Sequence, residues 1–292
     1  MSIDKLQERI RKLKNPSVVD FGIRPEHIPP HLMQAHDTFA SAYEQFCKEL
    51  LHGLADVVAG VRFSLGSMAA IGPEGVLLLK DLLNTAQKLG YYVILDGPAV
   101  MSAQEAEFLA DMLLNQESEW CFDGLILTPY IGSDGIKPFT MKLNKTNKDL
   151  FVVVRTANRS APELQDLLTG SRLVHLAAAD IVKRFAEPMI AKCGYSNVAA
   201  VAAASSADSL RTLREKYKSI FLLLDGYDYP NANAKNCSAA FDKLGHGAAA
   251  CAGTSVTAAW LDAPGDAQEY VSQAIEAAQR MKKNLTRYIV LL

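Results

Sequence analysis

The chain has 292 residues, of which 49% are hydrophobic and 21% charged, and a formal net charge of -2 at pH 7. This balance excludes a disordered or fibrous chain and predicts a single globular domain across residues 1–292. It also lacks the basic excess of a nucleic-acid binder, and no stretch reaches the roughly 18 apolar residues of a membrane span.

The opening Met1-Ser2-Ile3-Asp4-Lys5 starts a charged helical pattern rather than an apolar signal region. Short apolar, β-rich runs then end at Asp20-Phe21-Gly22, Arg62-Phe63, Leu95-Asp96, Leu127-Thr128, Val154-Arg155, Ala202-Ala203, Leu224-Asp225 and Cys251-Ala252. Helical patterns separate them: His31 to Leu51, Pro73 to Leu89, Ser102 to Leu114, Pro162 to Ala191, Ser206 to Tyr217, Ala234 to Leu244 and Asp266 to Arg287. Eight strands alternating with helices predict a (β/α)8 TIM barrel with an extra N-terminal helix across its bottom. The alternative, an open doubly wound sheet, lacks a GxGxxG after the first strand.

Five scattered cysteines, an odd number, predict reduced thiols and a cytoplasmic location. Cys237, His246 and Cys251 form no CxxC or HxxxH pair, so no metal is expected. The basic run from Arg280 to Arg287 reads as a solvated helix end, with a partner patch as the alternative.

In such barrels function sits at the C-terminal ends of the strands. Those ends supply Arg24, Arg62, Asp96, Thr128, Arg155, Thr156, Asn158, Asp225, Tyr227, Asp228, Tyr229, Gly253 and Thr254. Convergent arginines predict a small anionic ligand, with nucleotides and sugar phosphates as candidates. The competing reading pairs these arginines with Asp96, Asp225 or Asp228 to cap the barrel. Tyr227 and Tyr229 are candidates to stack on a base or sugar, or simply to brace a turn.

Val61-Arg62-Phe63-Ser64, Gly22-Ile23-Arg24-Pro25, Pro129-Tyr130-Ile131-Gly132-Ser133-Asp134 and Val154-Arg155-Thr156-Ala157-Asn158 together resemble motifs of the longer bacterial form of the orotidine 5′-phosphate decarboxylase family. Val61-Arg62-Phe63-Ser64 with Gly72-Pro73-Glu74-Gly75 is similar to its second strand and helix. Gly22-Ile23-Arg24-Pro25 matches its GLDP start, and Pro129-Tyr130-Ile131-Gly132-Ser133-Asp134 its PYxGxD turn. Val154-Arg155-Thr156-Ala157-Asn158 followed by Gln165-Asp166-Leu167 resembles its VRTSN...QDL segment. The resemblance implies a TIM barrel, a homodimer with sites at the interface, and cofactor-independent decarboxylation of orotidine monophosphate (OMP) to UMP.

The family performs that reaction with an alternating Lys-Asp-Lys-Asp array. Carried onto this chain, the array falls on Arg62, Asp96, Pro98 and Met101, so Asp96 alone is retained. Guanidinium is a poor proton donor near neutrality, and Pro98 carries no ionisable group. The ligand shell departs too: the family's ribose-binding aspartate falls on Arg24, its pyrimidine-binding serine on Ala157, and its phosphate-binding arginine on Thr254. The expectation is a catalytically impaired or repurposed member. One alternative is a genuine OMP decarboxylase with a rebuilt site. Another is a different barrel enzyme using Asp96 or Asp228 as a base beside arginine anchors.

Overall fold

Eight parallel strands close on themselves in sequence order in the computed structural model, which describes residues 2–262 and 266–291. The barrel strands are, first to eighth, Ser17–Asp20, Gly60–Ser64, Tyr92–Asp96, Gly124–Leu127, Asp149–Val153, Val198–Ala203, Leu222–Asp225 and Ala248–Ala252. The first strand pairs with both the second and the eighth, which closes the ring and sets aside the open-sheet alternative.

Alternation along the strands divides the core in two, because successive side chains point to opposite faces. Val18, Ile94, Ile126, Phe151, Leu223 and Cys251 fill the interior, while Val19, Val93, Leu95, Leu125 and Leu224 meet the surrounding helices. The Ala-rich sixth and eighth strands suit a barrel whose facing positions carry Phe151 and Phe221, since small and large residues must alternate to fill it.

The expected N-terminal helix, Ser2–Leu13, seals the bottom. Ile3, Leu6 and Ile10 lie on one helical face and are fully buried in the interior cluster. Arg9 donates to the carbonyls of Ala55, Val58 and Ala59, and Lys5 pairs with Asp123 at 2.8 Å. Beneath the barrel, Tyr92 Oη donates to the buried Asp149 carboxyl at 2.5 Å, and burial pushes that carboxyl well above its ordinary pKa.

Three helical expectations change. The pattern from His31 to Leu51 divides into Pro30–Ala35 and Phe39–Leu54, the second restarted by the Thr38 side chain, which accepts from the Ser41 N–H. The segment from Pro162 to Ala191 holds one turn, a short antiparallel hairpin (Leu168–Thr169 with Arg172–Leu173) and the helix Val174–Ala186. The pattern from Ala234 to Leu244 shrinks to Ala234–Ser238, and the helix Lys137–Thr146 was not foreseen. Among the described residues no helix is long and apolar enough to cross a membrane.

Candidate functional site

The strand parity that fills the interior also selects what reaches the mouth. Two residues beyond Val18, Gly60, Ile94 and Leu223, on the same inward face, stand Asp20, Arg62, Asp96 and Asp225. Register places Asp20 opposite Arg62, and Ser64 opposite Asp96. These residues sit at the end of the barrel where the fold places ligands. A cavity of about 460 Å³ opens there, lined by Asp20, Arg24, Arg62, Asp225, Asp228 and Thr254 among others.

Arg62 is committed inside this ring. Its Nη1 donates to Asp225 Oδ1 and its Nη2 to Asp20 Oδ2, each at 2.8 Å, and the side chain is 14% exposed. Burial opposes its charge, but Asp20 and Asp225 outweigh that cost and hold the guanidinium protonated. Asp96 takes no part in the pairing. Burial pushes its carboxyl up to about 6, Arg62 pulls it down, and Asp20 and Asp225 push it further up. The ring therefore holds three carboxyl groups around one arginine.

A fourth carboxylate, Asp228, lies beside the ends of the seventh and eighth strands. In TIM barrels the loops after the seventh and eighth strands, with a short following helix, commonly cradle phosphate. Here the Asp228 carboxylate lies in that cradle: Oδ2 accepts from the Gly253 N–H at 2.7 Å and the Ser255 N–H at 3.4 Å, and Oδ1 accepts from the Ser255 hydroxyl. The loop reaches this position through Gly226, at φ +77°, where a Cβ would come within 2.3 Å of the Ala157 Cβ.

The fifth-strand loop spends its polar groups on itself. Arg155 forks onto Asp166, with Nε to Oδ1 at 3.0 Å and Nη2 to Oδ2 at 2.8 Å, which holds that carboxylate below its usual range. The Thr156 N–H donates to the Gln165 side chain, Gln165 donates back to Thr156 Oγ1, and Thr156 and Asn158 bond to each other. His175 stands between Asp166 (Nδ1, 3.1 Å) and Ser209 (Nε2, 3.4 Å), in the order of a nucleophile relay. Both Asp166 oxygens already serve Arg155, and the ring is buried, so this chain packs the loop onto the helix Val174–Ala186.

The cavity thus unites Arg24, Arg62, Asp228, Gly253 and Thr254 of the expected set. Arg24 is 75% exposed at the rim and 3.8 Å from Glu26, leaving it the loosely held cation of the mouth. Asp96, Thr128, Arg155, Thr156, Asn158 and Tyr227 do not line the cavity; Asp225 and Tyr229 do. Met101 is 70% exposed on the turn leading to the helix Ala103–Leu113, its N–H bonded to Glu105, and it does not line the cavity. Of the expected arginine anchors, Arg62 pairs with Asp20 and Asp225, and Arg155 with Asp166. Asp228, the other candidate base, accepts from the Gly253 N–H through Oδ2 and from the Ser255 hydroxyl through Oδ1. Asp20 was missed as a partner of Arg62. Its one sequence signal was an acid closing the first strand, in parity with Val18.

No protein-family model matches the chain. The orotidine 5′-phosphate decarboxylase of Rhodopirellula baltica is 30% identical over 247 residues, spanning 81% of this chain and 82% of that protein. The chain belongs to the orotidine 5′-phosphate decarboxylase family. The orotidine 5′-phosphate decarboxylase of Petrotoga mobilis is 24% identical over 293 residues and 98% of each chain. OMP decarboxylase from Leishmania donovani superposes with a TM-score of 0.72 at 20% identity, over 97% of this chain and 99% of that one. The Plasmodium berghei enzyme gives 0.75 at 12% identity, over 97% and 98%. At those identities the structural likeness speaks to the fold alone.

Proposed function

We propose that this member of the orotidine 5′-phosphate decarboxylase family does not decarboxylate OMP, and that its mouth receives a small polar ligand other than a phosphate monoester. The observation that carries this reading is Asp228 in the amide cradle beside Gly253 and Ser255, a tethered anion where the ligand's phosphate would seat. A second anion placed there meets like charge and finds the donors already taken. With Arg62 shared between Asp20 and Asp225, the mouth favours an uncharged polyol or a cation over the anion expected from the arginine count.

The catalytic arithmetic points the same way. Each tenfold in rate corresponds to about 1.4 kcal/mol of transition-state stabilisation, and OMP decarboxylation demands help near the top of what enzymes supply. Asp96 stands without a lysine to deliver a proton, because the family's lysine positions, 62 and 98, carry Arg and Pro, and its second aspartate position, 101, carries Met. Purified protein supplied with OMP is expected to release no UMP above the uncatalysed background. Turnover at ordinary enzymatic rates would overturn the reading and make the chain a genuine decarboxylase with a rebuilt site.

A second reading rests on Asp96 alone. A carboxyl titrating at about 6, without an ion-pair partner among the described residues, is poised to exchange a proton near neutrality. In that case the barrel is an enzyme of a different reaction class, and its rate on a polyol or amine substrate falls to background in Asp96→Asn.

We further propose a homodimer in a reducing compartment. Exposed Met101, Phe108 and Met141 on and beside the helices after the third and fourth strands give a second copy an apolar surface to cover. All five cysteines are free thiols. Light scattering during gel filtration should report twice the chain mass; a monomer at micromolar concentration would contradict the dimer.

A further inference from the structure

The mouth is acidic, yet a groove on the flank of the barrel has the opposite character. It lies between the loop after the seventh strand and the last turn of the C-terminal helix Tyr270–Thr286, and has a volume of about 530 Å³. Lys235 and Arg287 line it with Asn233, Asn284, Tyr227 and Tyr288, and no carboxylate does. Among the described residues neither cation makes an ion pair, whereas Lys282, in the same basic run, is committed to the Leu13 carbonyl. An unpaired Lys and Arg facing one cavity on a chain of net charge -2 form a local anion receiver.

The frame around these groups is fixed. Asn233 accepts from the Asn236 N–H at 2.9 Å and the Asn236 amide donates to the Asn231 carbonyl at 2.8 Å, which sets the backbone under Lys235. Leu285 and Ile289, both buried, hold the backbone that carries Arg287 and Tyr288. Tyr227 is half-buried and Tyr288 is exposed, so each offers ring surface to the groove. Flat apolar surface beside two cations is the chemistry that recognises an aromatic ring carrying a phosphate.

We propose that this groove binds a nucleoside monophosphate, with the phosphate at Lys235 and Arg287 and the base against Tyr227 and Tyr288. The site is separate from the mouth and does not depend on the reading of the mouth given above. It also gives a role to Asn284 and Arg287 at the end of the basic run that the sequence left between a solvated helix end and a partner patch.

Titration calorimetry of the intact protein with AMP tests it. Saturable binding is expected, with adenosine and inorganic phosphate each weaker by about tenfold or more, since each keeps half of the contacts. Lys235→Glu with Arg287→Glu should abolish AMP binding at an unchanged melting temperature. Tyr288→Ala, a milder surface change, should weaken AMP while leaving phosphate untouched. Arg24→Glu at the mouth should leave AMP affinity as it was. Absence of saturable AMP binding, equal affinity in the charge-reversed variant, or loss of binding in Arg24→Glu would each overturn the proposal.

Discussion

The two ends of the barrel meet the same physical problem in opposite ways. Each is an open ring of strand ends whose polar groups need partners. The bottom is closed by a helix that inserts Ile3, Leu6 and Ile10, and its polar groups are paired, as in Lys5 with Asp123 and Tyr92 with Asp149, whose carboxyl burial pushes well above its ordinary pKa. The mouth carries Asp20, Asp96 and Asp225 around one arginine, and a fourth acid, Asp228, in the anion cradle. The bottom is arranged for stability, while the mouth keeps a surplus of negative charge that stability does not require. Surplus charge of this kind marks a place shaped by function.

That contrast can be broken first at Arg62. Replacing it by Met leaves Asp20 and Asp225 without their shared cation, and urea unfolding should show a loss of about 3–5 kcal/mol. An unchanged midpoint would mean that the ring is solvated and the pairing inconsequential. At the bottom, Leu6→Ala removes a fully buried side chain from the helix that plugs the barrel, and should cost about 2–5 kcal/mol by the same measurement. A smaller loss there would argue that the helix only rests on the barrel.

Asp96 sharpens the comparison through pH. An unfolded aspartate titrates near 3.8 and the folded one at about 6, so the folded state holds the proton longer. Relative to an uncharged side chain, Asp96 costs nothing below pH 4; stability then falls as pH rises toward 6 and stays lower above it. Asp96→Asn should therefore be the more stable protein at pH 7.5, by up to about 3 kcal/mol, with the gain vanishing near pH 4. A constant difference between the two pH values would contradict the assignment. The smallest effect belongs to Lys5→Ala, whose half-exposed pair with Asp123 should contribute no more than about 1 kcal/mol.

Much of the fold was readable because period and parity are local properties. All eight strand runs form, including the Ala-rich pair whose small side chains gave little hydrophobic signal. Leu164, Leu167 and Leu168 have helical spacing, yet all three are exposed, and Gly170 at φ +65° turns the chain into a hairpin. Lys137–Thr146 buries only Phe139, Thr140 and Leu143, too thin a stripe to stand out. At the site, Arg62 and Asp96 could be located from strand ends. Asp225 was among the acids weighed as a partner of the strand-end arginines, but Asp20 was not; they lie 163 and 42 residues from Arg62 and meet it only when the barrel closes. Asp228 was legible as an acid in the seventh loop; that it turns back onto the Gly253 amide depends on the eighth strand ending beside it.

Amide NMR can read, residue by residue, how far the Asp228 carboxylate shields the Gly253 and Ser255 amides from an anion. Titration with inorganic phosphate should leave the Gly253 and Ser255 resonances of the natural protein in place, and move them saturably once Asp228 is replaced by Ser. Saturable movement of both amides with Asp228 present would show a cradle open to phosphate and contradict the account.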